Sequence, residues 1–100
     1  MLPQKGFYYH FKHNPEISIN NYAYEILGTA KNSEDNSLNV IYRPLYKNEF
    51  LGNADYFARP LNMFLENVTL GDKTLPRFSL IADPELISKL EIIKSKLYNN

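Results

Sequence analysis

Apolar and polar side chains alternate with a period of two along most of the chain. The spacing lengthens to three and four only near the C-terminal end. Residues 6–12 read Gly-Phe-Tyr-Tyr-His-Phe-Lys, a first strand with Phe7, Tyr9 and Phe11 on a core face. Tyr8, His10 and Lys12 fall on the opposite face, which is expected to be wet. Asn14-Pro15 opens a polar turn, and a second strand is expected over 22–31, with Gly28 marking a bulge or a close backbone approach. Leu38, Val40 and Tyr42 alternate with Asn39, Ile41 and Arg43 in a third strand that Pro44 ends or kinks. A short fourth strand over 56–59 stops at Pro60, and Leu61 and Phe64 then suit a single helical turn.

Residues 66–80 read as a hairpin around Gly71-Asp72, whose return strand lies at an edge or breaks at Pro76. From residue 83 the pattern is helical. Asp83 is a good N-cap, Pro84 suits the first helical position, and Leu86, Ile87, Leu90, Ile93 and Leu97 form one apolar stripe. Such a stripe packs on the protein's own body. Ile92 lies off it and offers a small surface for weak self-association. The reading is mainly β: a small β-barrel or roll of about five strands, with a C-terminal α-helix over about 84–98. No linker divides the chain, so residues 1–100 form a single domain, with the barrel over about 6–80.

The centre of this pattern is the stretch 40–64. It carries Tyr42, Tyr46, Phe50, Tyr56, Phe57 and Phe64, and it repeats Arg-Pro-Leu at residues 43–45 and 59–61. Fourteen of the 100 residues are aromatic, enough for rings to dominate a core of this size. Eleven basic residues balance eleven acidic ones, so net charge lends nucleic-acid binding no support. There is no cysteine, which excludes disulfides, thiolate catalysis and cysteine-based zinc sites. No apolar run suits a signal peptide or a membrane span, and the expected location is the cytoplasm.

Arg43 and Arg59 each precede a proline, which favours extended backbone at both. A guanidinium offers a planar fork to a carboxylate or phosphate. Flanked by Tyr42, Tyr46 and Tyr56, the two arginines form either an anion or peptide contact, or internal pairs with Glu25, Glu34 or Asp55. Their neighbouring positions in the pattern suggest that they lie near each other and that at least one has an acidic partner. His10 is either a ligand contact or an imidazole bonded to backbone. His13 lies three positions on, which in a strand is the opposite face, so no two-histidine metal site is expected. Ser33-Glu34 reads as a turn, or as part of a hydrolytic set with His10 as base.

The chain also resembles the domain of unknown function 1653 family of small bacterial proteins. The matching residues are Gly6-x-Tyr8-x-His10-Phe11-Lys12, Tyr24-Glu25-Ile26-Leu27-Gly28-x-Ala30, Ser33-Glu34, Val40-x-Tyr42-Arg43-x-Leu45-Tyr46, Arg59-Pro60-Leu61-x-Met63-Phe64 and Arg77-Phe78. The resemblance covers about residues 6–80 and implies an SH3-like barrel, but no reaction. Three features depart from it. Residues 15–21 look inserted, Asn32 stands where the family often has His, and Phe57 stands where it often has Trp.

The function these readings favour is a non-catalytic binding module. It would hold a peptide or an anionic ligand with His10, Glu34, Tyr42, Arg43, Tyr46 and Arg59, and with no cofactor or metal. The alternative is an enzyme or nucleic-acid-processing accessory protein using His10 with Glu34 and an arginine. The two differ in geometry: the second needs His10, Glu34 and an arginine to converge in one pocket.

Overall fold

A computed structural model describes residues 2–98. In chain order the elements are β1 (Gly6–His10), β2 (Ala23–Lys31), β3 (Leu38–Pro44), β4 (Phe57–Pro60), α1 (Leu61–Phe64), β5 (Asn67–Leu70), β6 (Lys73–Pro76), β7 (Phe78–Leu80) and α2 (Pro84–Tyr98). Strands β4-β3-β2-β1-β7 form one antiparallel sheet, and β5 and β6 form a separate hairpin. The protein is mainly β with a C-terminal helix, as the alternation indicates. It has seven strands among the described residues rather than about five. The sheet does not close into a barrel, and β4 and β7 are its two edges.

Pro76 accounts for much of the difference. The expected return strand breaks there. Residues up to Pro76 pair with β5, and the chain then crosses to β1, where His10 faces Phe78 and Tyr8 faces Leu80. β1 itself stops at His10, and the Phe11 N–H donates to the Arg77 carbonyl at 2.9 Å. The bulge expected at Gly28 is present: the register steps between Ile26 and Gly28, leaving Leu27 as the extra residue.

Both faces of the sheet are covered, and each covering builds its own core. On one face Tyr8, Tyr24, Ile26, Val40 and Tyr42 pack with Phe64 of α1 and Phe78 of β7. The Phe64 and Phe78 rings stack at 4.5 Å. On the other face Phe7, Ala23, Leu45 and Ile81 pack under Leu90 of α2, with Leu86, Ile87 and Ile93 beside them. This double covering corrects the expected faces of β1. Tyr8, assigned to a wet face, is only 6% exposed, because α1 and β7 cover its side as α2 covers that of Phe7.

α2 begins as its sequence indicates. The Asp83 carboxylate accepts from the Glu85 N–H at 3.1 Å, the side-chain cap that an aspartate supplies at a helix start. Its stripe is buried at Leu90 and partly buried at Leu86, Ile87 and Ile93. Leu97 lies more open than the pattern suggests, and Ile92 is 58% exposed.

Candidate binding face

Directly paired residues on adjacent strands point to the same side of a sheet. Tyr42 pairs with Phe57 and Val40 with Arg59. Arg59 therefore stands on the face of the first core, as does His10 opposite Phe78. Arg43 follows Tyr42 by one residue and must point the other way. The two arginines do not share a site. The repeated Arg-Pro-Leu gives both the same local backbone, but the parity of each strand's pleat sets the side. Arg43 does have the acidic partner expected of one of them. Its Nε donates to Glu25 Oε1 at 2.7 Å, and its guanidinium lies 4.0 Å from the Tyr98 ring of α2. Lys94 Nζ reaches the other oxygen of the same carboxylate at 3.2 Å. Arg43 is 8% exposed and belongs to the seam between sheet and helix.

Glu34 lies elsewhere again. It sits on the exposed turn between β2 and β3, where its N–H donates to Asn32 Oδ1 at 2.9 Å. β1 pairs with β2 only over Ala23–Ile26, and β2 then runs on to Lys31. At about 3.3 Å per residue, most of that strand separates Glu34 from His10. His10, Glu34 and an arginine do not converge, so the geometry required by the catalytic alternative is absent.

His10, Tyr42, Tyr46 and Arg59 do come together, joined by Tyr22 and Phe78. The His10 ring stacks on Tyr22 at 5.5 Å and meets Phe78 edge-on at 5.2 Å. The Arg59 guanidinium lies 5.5 Å from the same Phe78 ring, and its Nε points at the Tyr42 hydroxyl at 3.5 Å. Arg59 forms no ion pair among the described residues. Tyr42 is buried and serves as floor. The hydroxyls of Tyr24 and Tyr46 bond to each other, and burial followed by that bond pushes the Tyr24 phenol upward. The Tyr22 and Tyr46 rings lie 6.3 Å apart. The result is an unbroken run of rings from Tyr46 through Tyr22, His10 and Phe78 to Arg59.

Beside Tyr22 and Tyr46 the run opens into a groove of about 580 Å³. Ser18 and Asn21 form one wall, and Asn48 and Phe50 form the other. The first wall comes from the stretch that looks inserted, and it is well tied down. Tyr9 Oη donates to the Ile19 carbonyl at 2.5 Å, Asn20 Nδ2 to the Leu45 carbonyl at 2.8 Å, and Asn21 Nδ2 to the Asn14 carbonyl at 2.7 Å. His13 stacks on Tyr9 at 3.6 Å and bonds the Asn21 carbonyl, which makes it a structural residue of this stretch. These bonds hold Tyr22 at φ 52°, the left-handed region that a bulky side chain seldom adopts, and so fix its ring beside His10. On the other wall Phe50 is 93% exposed on a single 3-10 turn over Glu49–Leu51.

The imidazole of His10 is neutral near pH 7. The Lys12 N–H donates to its Nδ1 at 3.2 Å, which leaves the ring proton on Nε2. Burial lowers its pKa to about 4, helped by the charges of Arg77, Lys12 and Arg59. Between pH 6.5 and about 4 the unfolded chain takes up this proton before the folded one does. The contribution of His10 to stability is thus complete above pH 6.5 and is lost as pH falls toward about 4. With allowance for solvent screening, the loss is on the order of 1–2 kcal/mol. Urea unfolding of the parent and of His10→Gln across this window should show the parent losing more stability on acidification. Parallel curves would mean that the imidazole titrates normally.

The sequence pattern does not single out Tyr22, Phe78 or Arg77 for this face, and it places Phe50 only within the aromatic stretch 40–64. Phe50 and Arg77 carried a signal, the first as an aromatic residue in a polar loop and the second as part of the last matching motif. Tyr22 reads as an ordinary first strand residue, because its left-handed backbone leaves no mark in the sequence.

The arrangement is an open β-sheet with α2 on one face and, on the other, an aromatic core whose rim carries Tyr46, Tyr22, His10 and Arg59. The family model for proteins of unknown function designated DUF1653 matches residues 6–80, and the chain belongs to that family. A crystal structure of a DUF1653 protein from Bordetella bronchiseptica is similar to it, with 26% identity and a TM-score of 0.61, over 81% of this chain and 92% of that one. No curated protein matches the chain. The family match ends at β7, so α2 lies outside it.

Proposed function

We propose that this protein is a non-catalytic binding module that takes an extended peptide segment along the aromatic face. The observation that carries the reading is the continuity of that face. Two ring-to-ring steps, of 5.5 and 5.2 Å, and one ring-to-guanidinium step of 5.5 Å lead from Tyr22 through His10 and over the buried Phe78 to Arg59. About five residues of extended chain could follow such a path. Aromatic grooves bind extended, proline-rich segments because those segments lose little conformational freedom on docking. The groove between Tyr22, Tyr46 and Phe50 would take the apolar residues, and Arg59 would take an acidic group at the far end.

Selection of a random peptide library against the purified full chain tests this. Enriched sequences are expected to combine proline or aromatic residues with an acidic residue a few positions away. Phe50→Ala and Arg59→Ala remove side chains that are exposed or lack an ion pair, so each should leave the thermal midpoint within about 2 °C. Each should weaken the selected peptide about tenfold or more. Absence of enrichment, or affinity unchanged in both variants, would overturn the proposal.

A further inference from the structure

Arg59, Arg77 and His10 lie close enough for the two cations to act on the imidazole, and each keeps a hydrogen-bond donor that has no protein acceptor among the described residues. Arg59, on β4, has only the long contact from its Nε to Tyr42. Arg77, between β6 and β7, gives one nitrogen to Glu66 at 3.0 Å, while its Nε is buried with no partner. His10, at the end of β1, carries its proton on Nε2, because Nδ1 already accepts from Lys12. A buried donor without an acceptor is unfavourable, and folded proteins seldom keep one.

The surroundings of His10 are one-sided in charge. Lys12 follows it in the turn after β1, Arg59 faces it from β4 and Arg77 from the β6–β7 link, and all three depress its protonation. The rings of Tyr22, from the turn before β2, and of Phe11 and Phe78 also pack against it. Glu66 is engaged by Arg77 and leaves Arg59 unmatched.

We propose that Arg59, Arg77 and His10 form an oxyanion subsite that takes a carboxylate or phosphate group of the bound ligand. Arg59 supplies a planar fork, His10 donates from Nε2, and Arg77 adds its positive charge beside them. A bound oxyanion offsets the three neighbouring cations, so it favours protonation of the imidazole. By reciprocity, protonation then tightens the anion. An anion that binds the imidazolium form about tenfold more tightly raises the His10 midpoint by about one unit. The location rests on the binding-module reading, but the chemistry can be tested with free anions and no peptide.

The test follows the His10 ring protons of the full-length protein by NMR through a pH titration. It is run in chloride and then, at matched ionic strength, in inorganic phosphate and in acetate. The midpoint in chloride should lie near 4. It should rise by about one unit in whichever oxyanion the subsite takes. A larger shift with phosphate identifies a phosphorylated residue as the source, and a larger shift with acetate identifies a carboxylate. Arg59→Gln should abolish the shift, and Arg59→Lys should recover only part of it, because an ammonium lacks the fork. Equal midpoints in all three anions, or an unchanged shift in Arg59→Gln, would overturn the subsite. Phe50→Ala separates this from the broader reading. It should weaken a selected peptide and leave the anion-induced shift intact, so loss of peptide binding alone would not bear on the subsite.

Discussion

Leu90→Ala is expected to destabilise the protein by about 2–5 kcal/mol, the range for truncating a buried leucine whose site cannot fully collapse. Leu90 is 0% exposed and is the one α2 side chain in the fully buried set. It sits over Phe7, Ala23, Leu45 and Ile81, drawn from β1, β2, the end of β3 and the segment after β7. Truncation therefore opens a void between a rigid sheet and a helix held at several other points. For a chain of this size each kcal/mol moves the thermal midpoint by about 4–8 °C, so the fall should be about 10 °C or more. Differential scanning calorimetry reads it directly. A midpoint unchanged within error would show that α2 does not pack on the sheet in solution. Ile92→Ala, on the open side of the same helix, should change it little.

The second large effect is expected at Glu25. Its carboxylate is shared by Arg43 at 2.7 Å and Lys94 at 3.2 Å, all three side chains being largely shielded from solvent. Glu25→Ala would leave a guanidinium and an ammonium close together without the acid between them. Breaking such a pair by removing one partner costs about 3–5 kcal/mol, mostly through the charge left behind. Glu91 still holds Lys94 at 3.2 Å, which places the expected loss toward the lower figure. Glu25→Gln keeps the shape and should lie between Ala and the parent. A loss below about 1 kcal/mol for Glu25→Ala, measured by urea unfolding, would mean that water solvates the seam as it would a surface pair. A double-mutant cycle with Arg43→Ala would then isolate the coupling.

Much of this architecture could be read from residue order alone. Alternation located β2 and β3, Gly28 marked the bulge, Pro76 marked the break before β7, and Asp83-Pro84 marked the start of α2. What could not be read depends on which elements cover which face. The burial of Tyr8 follows from α1 and β7 closing over a face that alternation alone leaves ambiguous. The separation of Arg43 from Arg59 turns on pleat parity. Arg43 is adjacent to core-facing Tyr42, whereas Arg59 is two residues from Phe57 on the same face. The Arg-Pro-Leu repeat hides that difference, because it repeats the backbone preference and not the parity. The distance of Glu34 from His10 is fixed by how far β2 extends beyond its pairing with β1. Among the residues of the candidate face, His10, Tyr42, Tyr46 and Arg59 were legible as aromatic and cationic positions in the sequence pattern. Tyr22 entered through a backbone conformation set by distant hydrogen bonds.

The measurement closest to the central claim is a map of amide chemical-shift changes on adding the peptide selected against the full chain. The expected result is a contiguous set of perturbed amides covering Tyr22, residues 46–50, Arg59 and Phe78, with α2 largely unmoved. Perturbations centred on Leu86, Leu90 and Lys94, with Tyr22 and Arg59 unchanged, would place the ligand on the helix-covered face and contradict it.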